Sequence, residues 1–205
     1  MKLPRLFPAV GALLLASVAL ATASPLRPLA GGPDGQTAES SLVRSPDGTV
    51  YLSWNGPGER PGERALRFAT LAPGASAWSA PRLITSTAQL MENWADFATM
   101  AVGTDGTLWA QWFQNPPGED AHGYSGWFAR STDGGATWSK PAELGHEFVA
   151  LAPLSGGRLL AVWLESTRAH GAHEAHDAHA PRDPKAPYRP AMRLKGRRLG
   201  PDGAT

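Results

Sequence analysis

Three similar stretches recur along the chain, and this repetition constrains the fold more than any other sequence feature. Residues 47–54 read DGTVYLSW, residues 105–112 read DGTLWAQW, and residues 156–163 read GGRLLAVW. In each stretch two turn-forming residues precede an alternating apolar run that ends in tryptophan. Each stretch is therefore predicted to be a turn followed by a β-strand, with Leu108, Ala110 and Trp112 on one face of the second strand.

A second series of similar residues lies between these stretches. Residues 67–81 align with residues 127–141 at a shift of 60, which superimposes one Phe, one Trp and one Pro in each copy. The stretch STDGGATWSKP at residues 131–141 is thus one copy of a repeating unit. A period of about 50 to 60 residues with four short strands is typical of a propeller blade.

The composition favours an all-β chain. Gly (23), Pro (19) and Trp (8) are plentiful, and no segment beyond the first 23 residues shows a sustained helical period. The predicted strands are 41–45, 49–54, 65–71 and 78–84; 98–103, 107–113, 125–131 and 138–144; and 149–154, 158–165 and 191–199.

The chain divides into three parts. Residues 1–23 resemble a secretory signal peptide, because Lys2 and Arg5 precede a short apolar run and small residues follow near Ala23. Residues 24–38 form a linker, and residues 39–205 form a partial propeller with blades at 39–90, 91–146 and 147–205, the last incomplete. We expect this chain to be a fragment of a longer protein. It is expected to form oligomers only if it ends at Thr205.

The net charge of the chain and its expected export limit the classes of molecule that it can bind. A membrane anchor is the alternative to the signal peptide, but the apolar run is short for a transmembrane helix, so we expect a periplasmic or secreted protein without a stable anchor after cleavage. The chain has no cysteine, and its formal charge is 19 − 18 = +1. Removal of residues 1–23 gives 17 − 18 = −1, which argues against a nucleic-acid partner.

One turn carries a recognisable motif, formed by Ser131, Asp133, Gly135, Thr137 and Trp138. It resembles the Asp-box, S-x-D-x-G-x-x-W, of bacterial sialidases and other BNR-repeat proteins. The resemblance implies a sialidase-like β-propeller of six blades, of which about three are present. The box builds a hairpin turn, because its Asp accepts backbone hydrogen bonds, its glycines allow positive φ and its Trp packs beneath. We interpret Asp133 as structural.

The resemblance implies exo-alpha-sialidase-like glycoside hydrolysis, but this sequence departs from the family. Sialidases bind the sugar carboxylate with three arginines, one in an Arg-Ile-Pro motif, and no such motif occurs here. The family's nucleophilic Tyr and its Glu partner are expected from later blades. Whether the protein is an enzyme stays open, and this chain alone is expected to be inactive.

The longer connections should gather at one end of the blades, where function usually lies. Among them, Asp96 and Glu92 are candidate general acids or bases, and Asn93 and Trp94 are candidate substrate-binding residues. His146 and Glu147 are further substrate-binding candidates in the next connection. The alternative is structural: Asp96 caps a turn, and Trp94 fills the gap between blades.

A histidine run adds a metal hypothesis. His170, His173, His176 and His179 are spaced three apart, with carboxylates between them, and such ligands suit Zn²⁺, Ni²⁺ or Cu²⁺. The alternative is a solvated low-complexity loop, and no cofactor is required. The basic residues downstream are interpreted as a solvated segment or as a contact for anionic glycans; they are Arg182, Lys185, Arg189, Arg193, Lys195, Arg197 and Arg198.

Two functions remain open at this level. The first is an exported sialidase-like propeller that recognises or hydrolyses glycans. The second is a non-catalytic scaffold in the periplasm that binds metal or proteins through the His-rich loop.

Overall fold

The computed structural model describes residues 29–33, 35–117, 123–145, 147–166 and 192–201. The predicted signal peptide and the histidine run lie outside these ranges. Within them the chain is all-β, and no helix has the length and hydrophobicity that a membrane crossing requires. The strands are β1 (Ala38–Arg44), β2 (Val50–Pro57), β3 (Arg64–Leu71), β4 (Arg82–Thr87), β5 (Thr99–Val102), β6 (Leu108–Gln114), β7 (Ser125–Ser131), β8 (Ala142–Gly145), β9 (Glu147–Leu154), β10 (Arg158–Ser166) and β11 (Met192–Leu199).

Consecutive strands pair antiparallel and form three sheets. The first sheet has the order β1-β2-β3-β4, the second β5-β6-β7-β8, and the third β9-β10-β11. The first strands of neighbouring sheets contact each other, β1 with β5 and β5 with β9. The described sheets do not close on themselves, and β11 pairs with β10 while no other described strand pairs with its second edge.

Backbone hydrogen bonds repeat with the sequence. The Ser79 N–H donates to the Thr70 carbonyl at 2.8 Å, and the Ser139 N–H donates to the Arg130 carbonyl at 2.8 Å. The return bonds run from the Thr70 and Arg130 N–H groups to the serine hydroxyls, at 2.9 and 3.0 Å. The 60-residue shift seen in the sequence is therefore also a repetition of hydrogen bonds.

The outermost strands begin later than predicted. The sequence placed them at 78–84 and 138–144, whereas β4 begins at Arg82 and β8 at Ala142. Pro81 and Pro141 precede these strands and have no N–H group to donate to a neighbouring strand. The two tryptophans, Trp78 and Trp138, consequently lie in the turns rather than in strands.

Two apolar clusters fill the spaces between the sheets. β6 contributes to both, because alternate residues point to opposite faces: Leu108, Ala110 and Trp112 join the first cluster, and Trp109 joins the second. The prediction that Leu108, Ala110 and Trp112 share a face is confirmed. The first cluster also contains Leu66 and Phe68 from β3, and the second contains Leu159 and Trp163 from β10.

Antiparallel order gives each sheet two distinct ends. One end carries the tight turns and the Asp-box motif. The other, which we call the long-loop end, carries residues 58–63, the connection 88–98 and the beginnings of β1, β5 and β9. The connection is fixed there because the Met91 N–H donates to the Phe113 carbonyl and the Asn115 N–H to the Gln89 carbonyl, each at 2.9 Å.

Candidate functional site

The candidate site is centred on residues 92–98, which we call the hub segment. Its turn is closed by Asn93, whose Oδ1 accepts hydrogen bonds from the Ala95 N–H at 2.7 Å and the Asp96 N–H at 2.6 Å. This is the local side-chain bond by which asparagine mimics a backbone turn. The hub segment is thus a defined turn immediately before β5.

Glu39 attaches the hub segment to the first sheet. Its Oε1 accepts the Asn93 N–H at 2.5 Å, and its Oε2 accepts the Asn55 Nδ2 group at 2.8 Å. Burial raises the pKa of the Glu39 carboxyl to about 7, with a smaller contribution from the nearby Glu92 charge, against the lowering effect of backbone donors and Arg64. Sequence reasoning missed Glu39, because a lone Glu ahead of a strand gives no signal.

A β-bulge positions Glu39. The β1–β2 register shifts between Ala38 and Ser41, and Glu39 has a φ of 54°. The same irregularity occurs in the third sheet, where the β9–β10 register shifts and Phe148 has a φ of 51°. Bulges redirect side chains and are frequent beside active sites. The two bulges occupy the long-loop ends of the first strands of their sheets.

Asp96 attaches the hub segment to the other two sheets. The Tyr124 hydroxyl, just before β7, donates to Asp96 Oδ2 at 2.6 Å. The Phe148 N–H, in β9, donates to Asp96 Oδ1 at 3.0 Å. Burial, followed by the hydrogen bond to Asp96, raises the pKa of the Tyr124 phenol above its usual range, so this hydroxyl remains a donor. Glu39 and Asp96 together connect the hub segment to all three sheets.

Aromatic side chains are exposed around the Glu39 and Asp96 carboxyls. The hub segment carries Trp94, which is 90% exposed, and Phe97, which is 42% exposed, while Phe148 of β9 is 54% exposed. The interpretation that Trp94 fills a gap between blades is therefore wrong. An exposed indole on an anchored turn is instead accessible to a ligand.

Arg64 lies beside the hub segment and is paired. Its Nε and Nη2 groups donate to Glu92 Oε1 at 2.9 and 2.6 Å. Both side chains are 29% exposed, so the pair is partly shielded from solvent. Charge pairing of this kind holds Glu92 at the edge of the hub segment.

The structure brings together most of the site residues that the sequence predicted. Asp96, Glu92, Asn93 and Trp94 lie on or beside the hub segment, and Glu147 begins β9 next to Phe148. His146 lies outside the described ranges. Both Asp96 oxygens accept hydrogen bonds, which fits the turn-stabilising interpretation; its catalytic role, like that of Glu92, stays a prediction.

The Asp-box residues form one compact network at the opposite end. Asp133 accepts bonds from the Ser131 hydroxyl at 2.7 Å, the Thr137 N–H at 2.9 Å and the Thr137 hydroxyl at 2.6 Å. These bonds, the one from the Thr137 hydroxyl foremost, hold the pKa of Asp133 below its usual range. The Ser131 hydroxyl in turn accepts the Gly135 N–H at 2.8 Å. The Ser131, Asp133 and Thr137 side chains are thus bonded within the turn, as expected for a structural motif.

The Asp-box turn also packs on the preceding sheet. Trp138 makes an edge-to-face contact with Phe68 of β3, with ring centroids 6.1 Å apart. The Arg82 guanidinium donates to the Gly134 carbonyl at 2.6 Å and lies 4.5 Å from the centre of the Phe68 ring. The motif therefore joins two sheets as well as closing a hairpin.

The predicted metal ligands, His170, His173, His176 and His179, lie outside the described residues. Within the ranges that are described, no group of three or more His, Asp or Glu side chains is gathered to hold an ion. The metal hypothesis remains a prediction from the sequence.

A cleft in the third sheet region lies away from the hub segment. It has a volume of about 500 Å³ and lies between β8 and the pair β10–β11, with Glu143, Trp163, Glu165, Lys195 and Arg197 among its lining residues. The Trp163 indole N–H donates to Glu165 Oε2 at 3.1 Å, and Glu165 is also paired with Lys195. The hub segment is the better candidate site, because it adds the exposed Trp94 indole to its hydrogen-bonded polar groups, whereas Trp163 in the cleft is buried.

The chain was compared with protein-family models and with curated proteins. No family model matches it, and no curated protein matches it.

Proposed function

We propose that this chain is part of an exported, sialidase-like β-propeller that recognises glycans at its long-loop end. The observation that carries this proposal is Trp94: an almost fully exposed indole on a turn anchored by the buried Asp96 carboxyl and the partly buried Glu39 carboxyl. Flat aromatic faces beside hydrogen-bonding groups suit sugar rings, which have apolar C–H faces and polar edges. The repeated sheets and the Asp-box turn support the propeller part of the proposal.

Recognition is better supported than hydrolysis. A glycosidase needs two carboxyl groups, one of which must donate a proton to the glycosidic oxygen. Glu39 has a suitable pKa of about 7, but both of its oxygens already accept hydrogen bonds from the protein. Its contacts are those of an anchor for the hub segment. Hydrolysis would require catalytic carboxyl groups from residues outside the described ranges.

The test is glycan binding by the full chain and by variants at Trp94. We expect Trp94→Ala to weaken binding about fivefold, and Trp94→Phe to retain most of the affinity, because stacking is worth about 1 kcal/mol. The matched control is Leu194→Ala, which removes another exposed apolar side chain, 73% exposed on β11, and should leave affinity unchanged. A glycan array without any binding, or full affinity in Trp94→Ala, would refute the proposal.

A further inference from the structure

Carboxyl groups outnumber cations at the centre of the long-loop end. Glu39, Glu92 and Asp96 lie on or against the hub segment, and Glu147 begins the neighbouring strand β9. Arg64 is the one described cation in contact with this group, and it is paired with Glu92 at 2.6 Å. This excess of carboxyl groups over cations favours ligands that carry positive charge.

The neighbouring arginines are also engaged. In the first sheet, Arg67 is paired with Glu59 at 2.8 Å, and Arg60 with Glu63 at 2.6 Å. Arg193 lies near the beginning of β11, which is separated from β9 by β10. A carboxylated ligand at the hub segment would have to break an existing ion pair in order to reach the guanidinium of Arg60, Arg64 or Arg67.

A buried acceptor beside Glu39 lacks a donor. Asn55 is 0% exposed, and its Nδ2 group donates to Glu39, so the amide lies against the carboxyl cluster. Its Oδ1 atom has no hydrogen-bond partner among the described residues. An unpaired buried acceptor is costly, and here it adds to a group that already has more acceptors than donors. This excess of acceptors around Glu39 favours a ligand rich in N–H donors over one rich in acceptors.

We propose, on the basis of the glycan-binding function above, that the hub segment selects sugars that bear a protonated amine over sugars that bear a carboxylate. The ammonium group is attracted by the Glu92 and Asp96 side of the cluster and by the face of the Trp94 indole, since tryptophan is the strongest cation–π partner among the side chains. A carboxylated sugar meets like charge at the same position. This specificity differs from the acidic sugars that the sialidase resemblance implies.

The experiment measures binding of three probes to the full chain at neutral pH, by calorimetry. The probes are a glucosamine tetramer, the same tetramer fully N-acetylated, and sialyllactose. We expect the amine-bearing tetramer to bind about fivefold more tightly than the N-acetylated one, and sialyllactose to bind most weakly. Added salt should reduce the difference between the two tetramers, because it screens the attraction of the ammonium groups.

A variant tests the role of charge directly. Glu92→Gln removes one carboxylate and releases Arg64, so we expect the preference for the amine to fall and the affinity for sialyllactose to rise. The matched control is Asp105→Asn, which removes one carboxylate from the tight turn before β6, at the opposite end of the sheets, and should leave the order of affinities unchanged. Circular dichroism and thermal unfolding verify that both variants are folded.

The outcomes separate the two proposals. Binding of the N-acetylated tetramer without a preference for the amine, or tighter binding of sialyllactose, overturns the amine specificity and leaves glycan recognition intact. Absence of binding to all three sugars overturns glycan recognition and this inference with it. Tighter binding of a lysine tetrapeptide than of the glucosamine tetramer would show that the surface selects basic peptides, and it would overturn the choice of a sugar.

Discussion

Glu39 is a single residue whose protonation changes near neutral pH. Its pKa in the folded chain is about 7, above the ordinary value of 4.5, so the folded state holds this proton more tightly than the unfolded state does. The resulting stabilisation is complete below about pH 4.5 and is lost as the pH rises through about 7. The pKa of Glu39 is raised mainly because its carboxyl is partly buried without a cation paired to it.

Thermal unfolding measured at a series of pH values tests this contribution of Glu39 to stability. Relative to Glu39→Gln, the native chain should lose several degrees of its unfolding temperature as the pH rises from about 4.5 to about 7. Tryptophan fluorescence is a suitable signal, and the difference between the two proteins removes the effect of other groups. Parallel curves for the two proteins would show that Glu39 is not the residue that titrates.

At the scale of elements, the Asp-box turn behaves as a unit that docks on β3. A Cβ atom on Gly135 would lie 2.4 Å from the Phe68 ring, and Gly135 has a φ of 87°. A Cβ atom on Gly134, with a φ of 70°, would meet nothing within 4 Å. These two neighbours separate the cost of backbone strain from the cost of overpacking.

Alanine at each position makes this comparison. We expect Gly134→Ala to lower the free energy of unfolding by about 1 kcal/mol, because of the left-handed φ alone. Gly135→Ala should lower it by a further 1–3 kcal/mol or so, because Phe68 must move. Urea titration measures both values, and equal values for the two variants would mean that the turn does not press on Phe68.

The elements also show how far the sequence predicts this protein. Turns, strands and the 60-residue repeat were predictable, because they depend on residues close together in the chain, such as Ser131, Asp133 and Thr137. Trp94 and Asp96 were selected by their position ahead of a strand. The sequence did not reveal Glu39, because its hydrogen-bond partner Asn93 is 54 residues away. The raised pKa of Glu39 also depends on burial in the assembled sheets, which no local pattern predicts.

At the scale of the whole molecule, the hub segment connects the three sheets, and Asp96 makes two of the connections. We expect Asp96→Asn to lower the free energy of unfolding by about 1–3 kcal/mol, and Tyr124→Phe by about 1 kcal/mol. In the double variant the losses should be non-additive by about 1 kcal/mol, because the two groups share a hydrogen bond.

The control for this cycle is Tyr51→Phe. Tyr51 stacks on Phe68 in the first sheet and does not contact Asp96, so its effect should add to that of Asp96→Asn. Chemical denaturation followed by fluorescence provides all four free energies. Additive losses for Asp96 and Tyr124 would indicate that the Tyr124 bond contributes nothing to the connection between the sheets.

The outer edge of β11 has a consequence for how copies of this molecule behave together. An edge strand offers free backbone groups to any extended chain. β11, which has one partner among the described strands, carries four exposed basic residues, Arg193, Lys195, Arg197 and Arg198. Two copies that approached edge to edge would align two rows of positive charge. Electrostatic repulsion thus opposes the growth of fibrils from this edge, and the protection weakens wherever polyanions neutralise it.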